Sequence, residues 1–421
     1  ITINASNSGG ICGSDASNVT ITNCYSSGSI SSGNNNGGMF GANQSSSSTT
    51  HTYPAKGAWT DASANEYLTG TPTDTTPVGT VWTDVALSNN TTPYILSSFN
   101  EINSSVTITN ADISSYSWPV TIQGGISGSP VIVTFGDDIT FIYSSQYFII
   151  GSEYVTINGS NNSVTINNVS SYNGLVQNGT GSDTGYSNTT IENIYMNTSN
   201  NATLADNGGW ICQGYFGASA QSNVINKCHT SGDIGGESSG GICGQYAGGK
   251  SGTITVTNCS STGTIDGSYC GGICGQAVFG YSGSGTVSNC YSTGTIDGSY
   301  CGGICGAFAC AHQVSSGTVK NCYSTGTISG EFSGGICGYQ AGYNSGTVTI
   351  TNCYSTGEMT SNGLGGICGS DASNAIITEC YSTGDITDNA FNSGGICGSD
   401  ASNVTITNCY SSGSISSGNN N

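Results

Sequence analysis

Apolar and polar positions alternate with a period of two along much of the chain, in short bursts separated by Gly, Ser and Asn. In "GTVTITNCYSTGEM", Val348 and Ile350 alternate with Thr347, Thr349 and Thr351, which predicts a half-buried strand. The bursts recur. "GGICG" is centred on Cys12, Cys243, Cys274, Cys305, Cys337, Cys368 and Cys397, and a variant, "GGWICQG", carries Cys212. "NCYSTG", or a close variant, carries Cys24, Cys228, Cys259, Cys290, Cys322, Cys353, Cys380 and Cys409. The commonest offset between successive copies is 31, as from Cys228 to Cys259 and from Cys259 to Cys290; the step from Cys353 to Cys380 is the shortest and that from Cys290 to Cys322 the longest. Gly follows the second cysteine by four positions in all eight copies. A glycine fixed at one phase marks a corner that needs positive φ or close backbone approach. Asn precedes that cysteine in six of the eight copies; it tolerates the left-handed turn conformation, and stacked Asn side chains bond along a ladder.

A unit of this kind, with short strands and fixed corners, predicts one coil of an all-β parallel β-solenoid, expected to be a right-handed β-helix. Coils of about 31 residues would stack ~4.8 Å apart, burying together an apolar face that one coil cannot bury alone. The gap between the two cysteines of a unit varies, being short from Cys368 to Cys380 and longest from Cys305 to Cys322, so the variable loops should share one face. Residues 93–211 follow the same logic without cysteine until Cys212, and are expected to form early, larger coils with the thickest core: Val131, Ile132, Val133, Phe135, Ile139, Phe141, Phe148, Ile149 and Ile150. Residues 212–421 hold the cysteine-bearing coils. Residues 42–92 contain three of the six prolines and read as a linker or small capping subdomain. Residues 1–41 read as the last rungs of a preceding solenoid, closed by "GGMFG". Ile1–Asn36 matches Ile386–Asn421 at an offset of 385, with only Ile3/Asp388 and Ser6/Phe391 differing. That duplication predicts a tandem array that continues beyond the segment.

Composition narrows the function classes. Only four of 421 residues are basic, all lysine, against 24 acidic ones, for a net charge of −20. Nucleic-acid binding needs clustered cations, so it is not expected, nor is membrane insertion, since no apolar run approaches the ~20 residues of a span. There is no initiator Met and no signal-like segment, so the numbering reads as starting inside a longer or processed polypeptide. Nineteen cysteines in a polar chain suggest an oxidising compartment. Fifteen N-x-S/T sequons, among them Asn103, Asn158, Asn178 and Asn201, permit glycosylation.

"GGICG…TITNCYSTGTI" resembles the GLUG-type repeat family, which occurs in long surface and secreted proteins of bacteria and in giant-virus repeat proteins. The resemblance covers residues 1–41 and 93–421 and implies a β-solenoid with a surface or fibre role. It brings no catalytic residues and no cofactor. Cysteine where the family usually has Val or Ala, as at Cys243 and Cys274, is a departure that needs its own account.

The two cysteine columns appear and vanish together, which favours disulfides within each unit: 12–24, 212–228, 243–259, 274–290, 305–322, 337–353, 368–380 and 397–409. A loop near 15 residues closed in this way is worth about 3 kcal/mol in the chain-entropy model. Cys270 and Cys301, in two copies of "GSYCGGICG", should lie on adjacent coils and suit a bond between rungs. Cys310 is left over as a free or intermolecular thiol. Reduced cysteine packed as a small hydrophobe remains open; metal binding is disfavoured because no C-x-x-C occurs and His is scarce.

Catalytic chemistry is hard to find. Asp137–Asp138 is the densest acidic pair, but adjacent residues in a turn point apart. His229 beside Cys228 occupies the place of a tyrosine in other units, and His312 lies near Cys310. Tyr291, Tyr323, Tyr354 and Tyr381 belong to a repeated column that reads as an aromatic ladder, or as a platform for stacking sugars. The T-x-T rows hint at an ice-binding face but are interrupted. The sequence therefore predicts a non-enzymatic structural protein, a section of an extracellular or virion-surface fibre that partners itself. An adhesin stalk binding glycans or a host surface is the alternative, and a β-helix carbohydrate-active enzyme the lesser one.

Overall fold

The computed structural model describes residues 101–387 and 390–416, together with short strands between Thr2 and Pro54. The chain divides into two units, residues 1–99 and 100–421. In the first, three short parallel pairs are present: Thr2–Ile3 with Ser29–Ile30, Thr20–Thr22 with Ser48–Thr50, and Tyr25–Ser26 with Tyr53–Pro54. The expected linker, the "GGMFG" rung, Cys12 and Cys24 otherwise lie outside the described residues.

The second unit is a parallel β-solenoid. One side is an eleven-stranded sheet running from Val106–Ile108 to Thr405–Thr407; a second has ten strands, from Ile139–Phe141 to Tyr410–Ser411. A third begins as four strands, among them Val120–Ile122 and Phe148–Ile150. Isolated bridges then extend that side through Val176, Cys212 and Cys243 to Cys397. Every strand pair in these sheets is parallel, and in the cysteine coils like residues meet: Thr255, Thr286, Thr318 and Thr349 form one row. Both long sheets run without a break across the boundary at residue 212, so the cysteine-free and cysteine-bearing coils are one stack. The only helical element among the described residues is the 3-10 turn Asn110–Ser115.

The early coils are not uniformly larger. Val106 pairs with Val133, and Val131 with Val155, so these coils are shorter than the cysteine coil that sets Thr255 beside Thr286; Thr156 pairs with Thr190, so the next is longer. Their core is aromatic, with Trp118 edge-on to Phe141 (5.0 Å) and Phe148 (5.1 Å). Seven of the nine expected core residues are buried, but Ile132 is 37% exposed and Ile149 only half-buried. The period of two decides this: with Val131 and Val133 inward, Ile132 must face out.

Two corners set the path of each coil. Asn258, Asn289, Asn321 and Asn352 all have positive φ, between 51° and 55°. Their side chains bond from coil to coil, Asn321 Nδ2 to Asn289 Oδ1 at 3.1 Å and Asn352 Nδ2 to Asn321 Oδ1 at 2.7 Å. The glycine four residues after the second cysteine serves close approach rather than positive φ. A Cβ on Gly263, Gly294 or Gly326 would overlap the carbonyl oxygen of the equivalent glycine one coil earlier.

A buried serine column lies just inside these corners. The hydroxyls of Ser261, Ser292, Ser324, Ser355 and Ser382 have no hydrogen-bond partner, and each packs on the second glycine of a "GGICG" motif, as Ser292 does on Gly272. A buried unpaired hydroxyl costs about 1–3 kcal/mol. Ser292→Ala is therefore expected to stabilise the protein, by about 1 kcal/mol, read as a rise in the guanidinium midpoint. A fall would show that the hydroxyl has a partner in solution.

Candidate functional site

The cysteines are the most repeated chemistry in the molecule, and among the described residues no disulfide joins the pairs expected from their spacing. All seventeen described cysteines are free thiols, and fifteen are buried. Their contacts run along the columns. In the second column the Cys259 N–H donates to Cys290 Sγ at 3.4 Å, and that of Cys322 to Cys353 Sγ at 3.4 Å. Each thiol donates back two residues along its own chain: Cys259 to Thr257 O (3.1 Å), Cys290 to Ser288 O (3.2 Å), Cys380 to Thr378 O (3.2 Å). The left-handed residue before the cysteine turns the backbone out of the sheet ladder at this point. A small side chain that both donates and accepts fills the corner.

Cys270 and Cys301 do lie on adjacent coils, the Cys270 N–H reaching Cys301 Sγ at 3.2 Å. Serine takes the same place elsewhere in that column and makes the same bond to the preceding coil. Ser239 Oγ donates to Ala205 O at 2.8 Å, Cys270 Sγ to Gly236 O at 2.9 Å, Cys301 Sγ to Gly267 O at 3.0 Å and Ser333 Oγ to Gly298 O at 3.1 Å. Interchange with serine explains the cysteine as a small hydrogen-bonding corner residue. Cys310 is only 1% exposed, so it is not placed to link chains. Burial pushes the Cys212, Cys259 and Cys310 thiols well above their ordinary range, which keeps them protonated and unreactive.

Tyr291, Tyr323, Tyr354, Tyr381 and Tyr410 form a ladder with centroids 4.9–5.1 Å apart and planes within 5° of parallel. Each inner ring has both faces covered by its neighbours, so the ladder offers edges to solvent rather than stacking faces. His229 does stand in this column, stacked on Tyr195 at 4.8 Å, its Nδ1 2.7 Å from Ser260 Oγ. Burial lowers its pKa. Asp137 and Asp138 are separated as expected: Asp137 Oδ1 accepts from the Asn110 N–H and Asp138 Oδ1 from the Ser163 N–H, both at 2.7 Å. These bonds tie them to coils on opposite sides. The Thr row is broken by Val224 and Ile376, and Lys320 stands in the row beside it.

Of the sequons, Asn103 and Asn201 are exposed. Asn178 is fully buried, donating to Tyr186 O at 2.9 Å and accepting from Tyr186 N at 2.6 Å, so its amide is not open to glycosylation in the folded chain. Asn158 is half-buried and bonded to Glu192 and Asn193.

One aromatic column was not legible in the repeat. Tyr215, Tyr246, Tyr281 and His312 line up on the variable-loop face, with centroids 5.1, 5.6 and 4.9 Å apart, the first and last pairs stacked and the middle pair tilted. Lys250 Nζ lies 5.1 Å from the Tyr215 ring centroid and donates to Gly181 O. Among the described residues no group of three or more His, Cys, Asp or Glu could hold a metal ion, and no helix is long and apolar enough to cross a membrane.

Fold and surface together define a parallel β-solenoid protein. No protein-family model and no curated protein matches the chain. It is similar to a solved structure described as a candidate immunoglobulin A1 protease from Bacteroides ovatus, at 18% identity and a TM-score of 0.39, over 73% of this chain and 84% of that one.

Proposed function

We propose that this chain is a section of an extracellular structural rod, a non-enzymatic stalk or filament segment whose work is to hold length. The observation that carries this reading is the uninterrupted parallel register. Eleven strands follow one another in a single sheet, and columns of Asn, Ser, Cys and Tyr repeat along it. Eleven strands at ~4.8 Å give a rod of about 50 Å for this unit alone. The resemblance to GLUG-type repeats and the recurrence of Ile1–Asn36 at Ile386–Asn421 support a surface or fibre setting, with further copies of the same chain as the natural partner. Electron micrographs of the native particle test the reading. Rods or filaments with a regular axial repeat are expected; isolated globular monomers, or turnover on a polysaccharide panel, would count against it.

A further inference from the structure

We propose that the cleft on the variable-loop face, lined by Tyr215, Tyr246, Lys250, Ser251, Tyr281 and Gln313, binds a neutral glycan. The inference goes beyond the rod reading and does not depend on it.

The cleft differs from the Tyr291–Tyr410 ladder in one decisive way. Tyr246 and Tyr281 are tilted by 51° at 5.6 Å, whereas the ladder rings lie within 5° of parallel. The tilt breaks the even wall of stacked rings and leaves a recess along the outer edges of these two phenols. Tyr281 remains 36% exposed. The open space measures about 450 Å³, within the range of ~300–1,000 Å³ typical of small-ligand sites. All three tyrosines sit at positive φ, 64°, 56° and 56°, and side chains rarely adopt that conformation without a turn that demands it. These turns bring rings from three successive loops into line.

The lining matches a sugar. Tyrosine presents an apolar ring edge with a polar tip, suited to contact along the C–H and hydroxyl edge of a pyranose. Gln313 Oε1 already accepts from Ser282 Oγ at 2.7 Å, which leaves its amide nitrogen to donate. The Tyr246 phenol is pushed up to about 12, by burial first and then by the Tyr281 phenol, so it stays a donor at any physiological pH. Charge selects within glycans. Lys250 is already shared between Gly181 O and the Tyr215 ring, and the chain carries a net charge of −20. Sulfated or carboxylated sugars would meet repulsion; neutral ones would not.

The test is an array of cello-, malto-, manno- and chito-oligosaccharides, with sialylated and sulfated oligosaccharides alongside, followed by calorimetry on the hits. A neutral hit is expected, weakened at least tenfold by Tyr281→Ala and at least threefold by Gln313→Ala. Tyr354→Ala, in the covered ladder, should bind as the parent does. Circular dichroism and the thermal midpoint separate lost binding from lost folding, and Gln313→Ala, which leaves every ring in place, keeps the test decisive if Tyr281→Ala misfolds. No neutral hit, preference for acidic glycans, or binding indifferent to both cleft variants would overturn the proposal.

Discussion

Gly294→Ala should disrupt the solenoid out of proportion to one methyl group. The new Cβ would overlap the Gly263 carbonyl oxygen and press on its carbon. Neither can retreat, because this corner repeats in the next coil, where Gly326 lies against Gly294 in the same way. Relief requires the stack to open, and the expected loss is about 3 kcal/mol or more, the upper end for overpacking. Gly128→Ala is the control. Gly128 sits at φ 84° with nothing within 4 Å of an added Cβ, so the cost there is only the left-handed conformation, about 1–2 kcal/mol. Guanidinium midpoints of both variants decide the matter: equal shifts would mean that the corner is not as tight as described.

The second large effect concerns the thiols. Unfolded in guanidinium without reductant, the chain is expected to give close to nineteen titratable thiols, the full cysteine content. Folded, it should give very few, because only Cys397 and Cys409 among the described cysteines escape full burial. The two measurements separate two kinds of silence. A buried thiol is unreactive until the protein unfolds; a disulfide stays unreactive afterwards. Only a handful of thiols in the unfolded, unreduced chain would restore the within-unit bonds that the spacing suggests. The result also bears on compartment, since free thiols in such number persist most easily where the environment is reducing or the core stays closed.

What could be read from the letters follows the physics of repetition. A recurring offset with alternation inside it points to stacked coils, and the strands formed as expected at Thr347–Thr351 and its counterparts. The Asn before the second cysteine carried its own meaning, since few residues accept positive φ. The glycine corner was narrowed from two causes to one. Ile132 and Ile149 were misplaced because apolar runs hide the alternation that sorts inward from outward. The cysteine pairing was not legible for a different reason. Co-occurrence in sequence is equally the mark of a bonded pair and of two corners of one coil type, and the serine interchange in the Cys270 column speaks for that column alone. That interchange was visible in principle, because Ser239, Ser333 and Ser393 occupy the same phase as Cys270 and Cys301. Tyr215, Tyr246, Tyr281 and His312 stayed hidden because they lie in loops of unequal length, where the repeat loses its phase. Their one signal is a ring set beside glycine, as in "QGYFG" and "VFGYSG".

The register of the cysteine coils has a genetic consequence. Each coil offers its successor the same edge that it received, so the stack does not record which coil lies next. Excising residues 274–304 would join Ile273 to Cys305 and bring together edges that already match. Duplicating the same stretch would do likewise. Recombination between near-identical repeats can therefore lengthen or shorten the rod in whole coils, without a period of misfit that selection would have to tolerate. Reach, rather than shape, is the trait such a gene is free to vary.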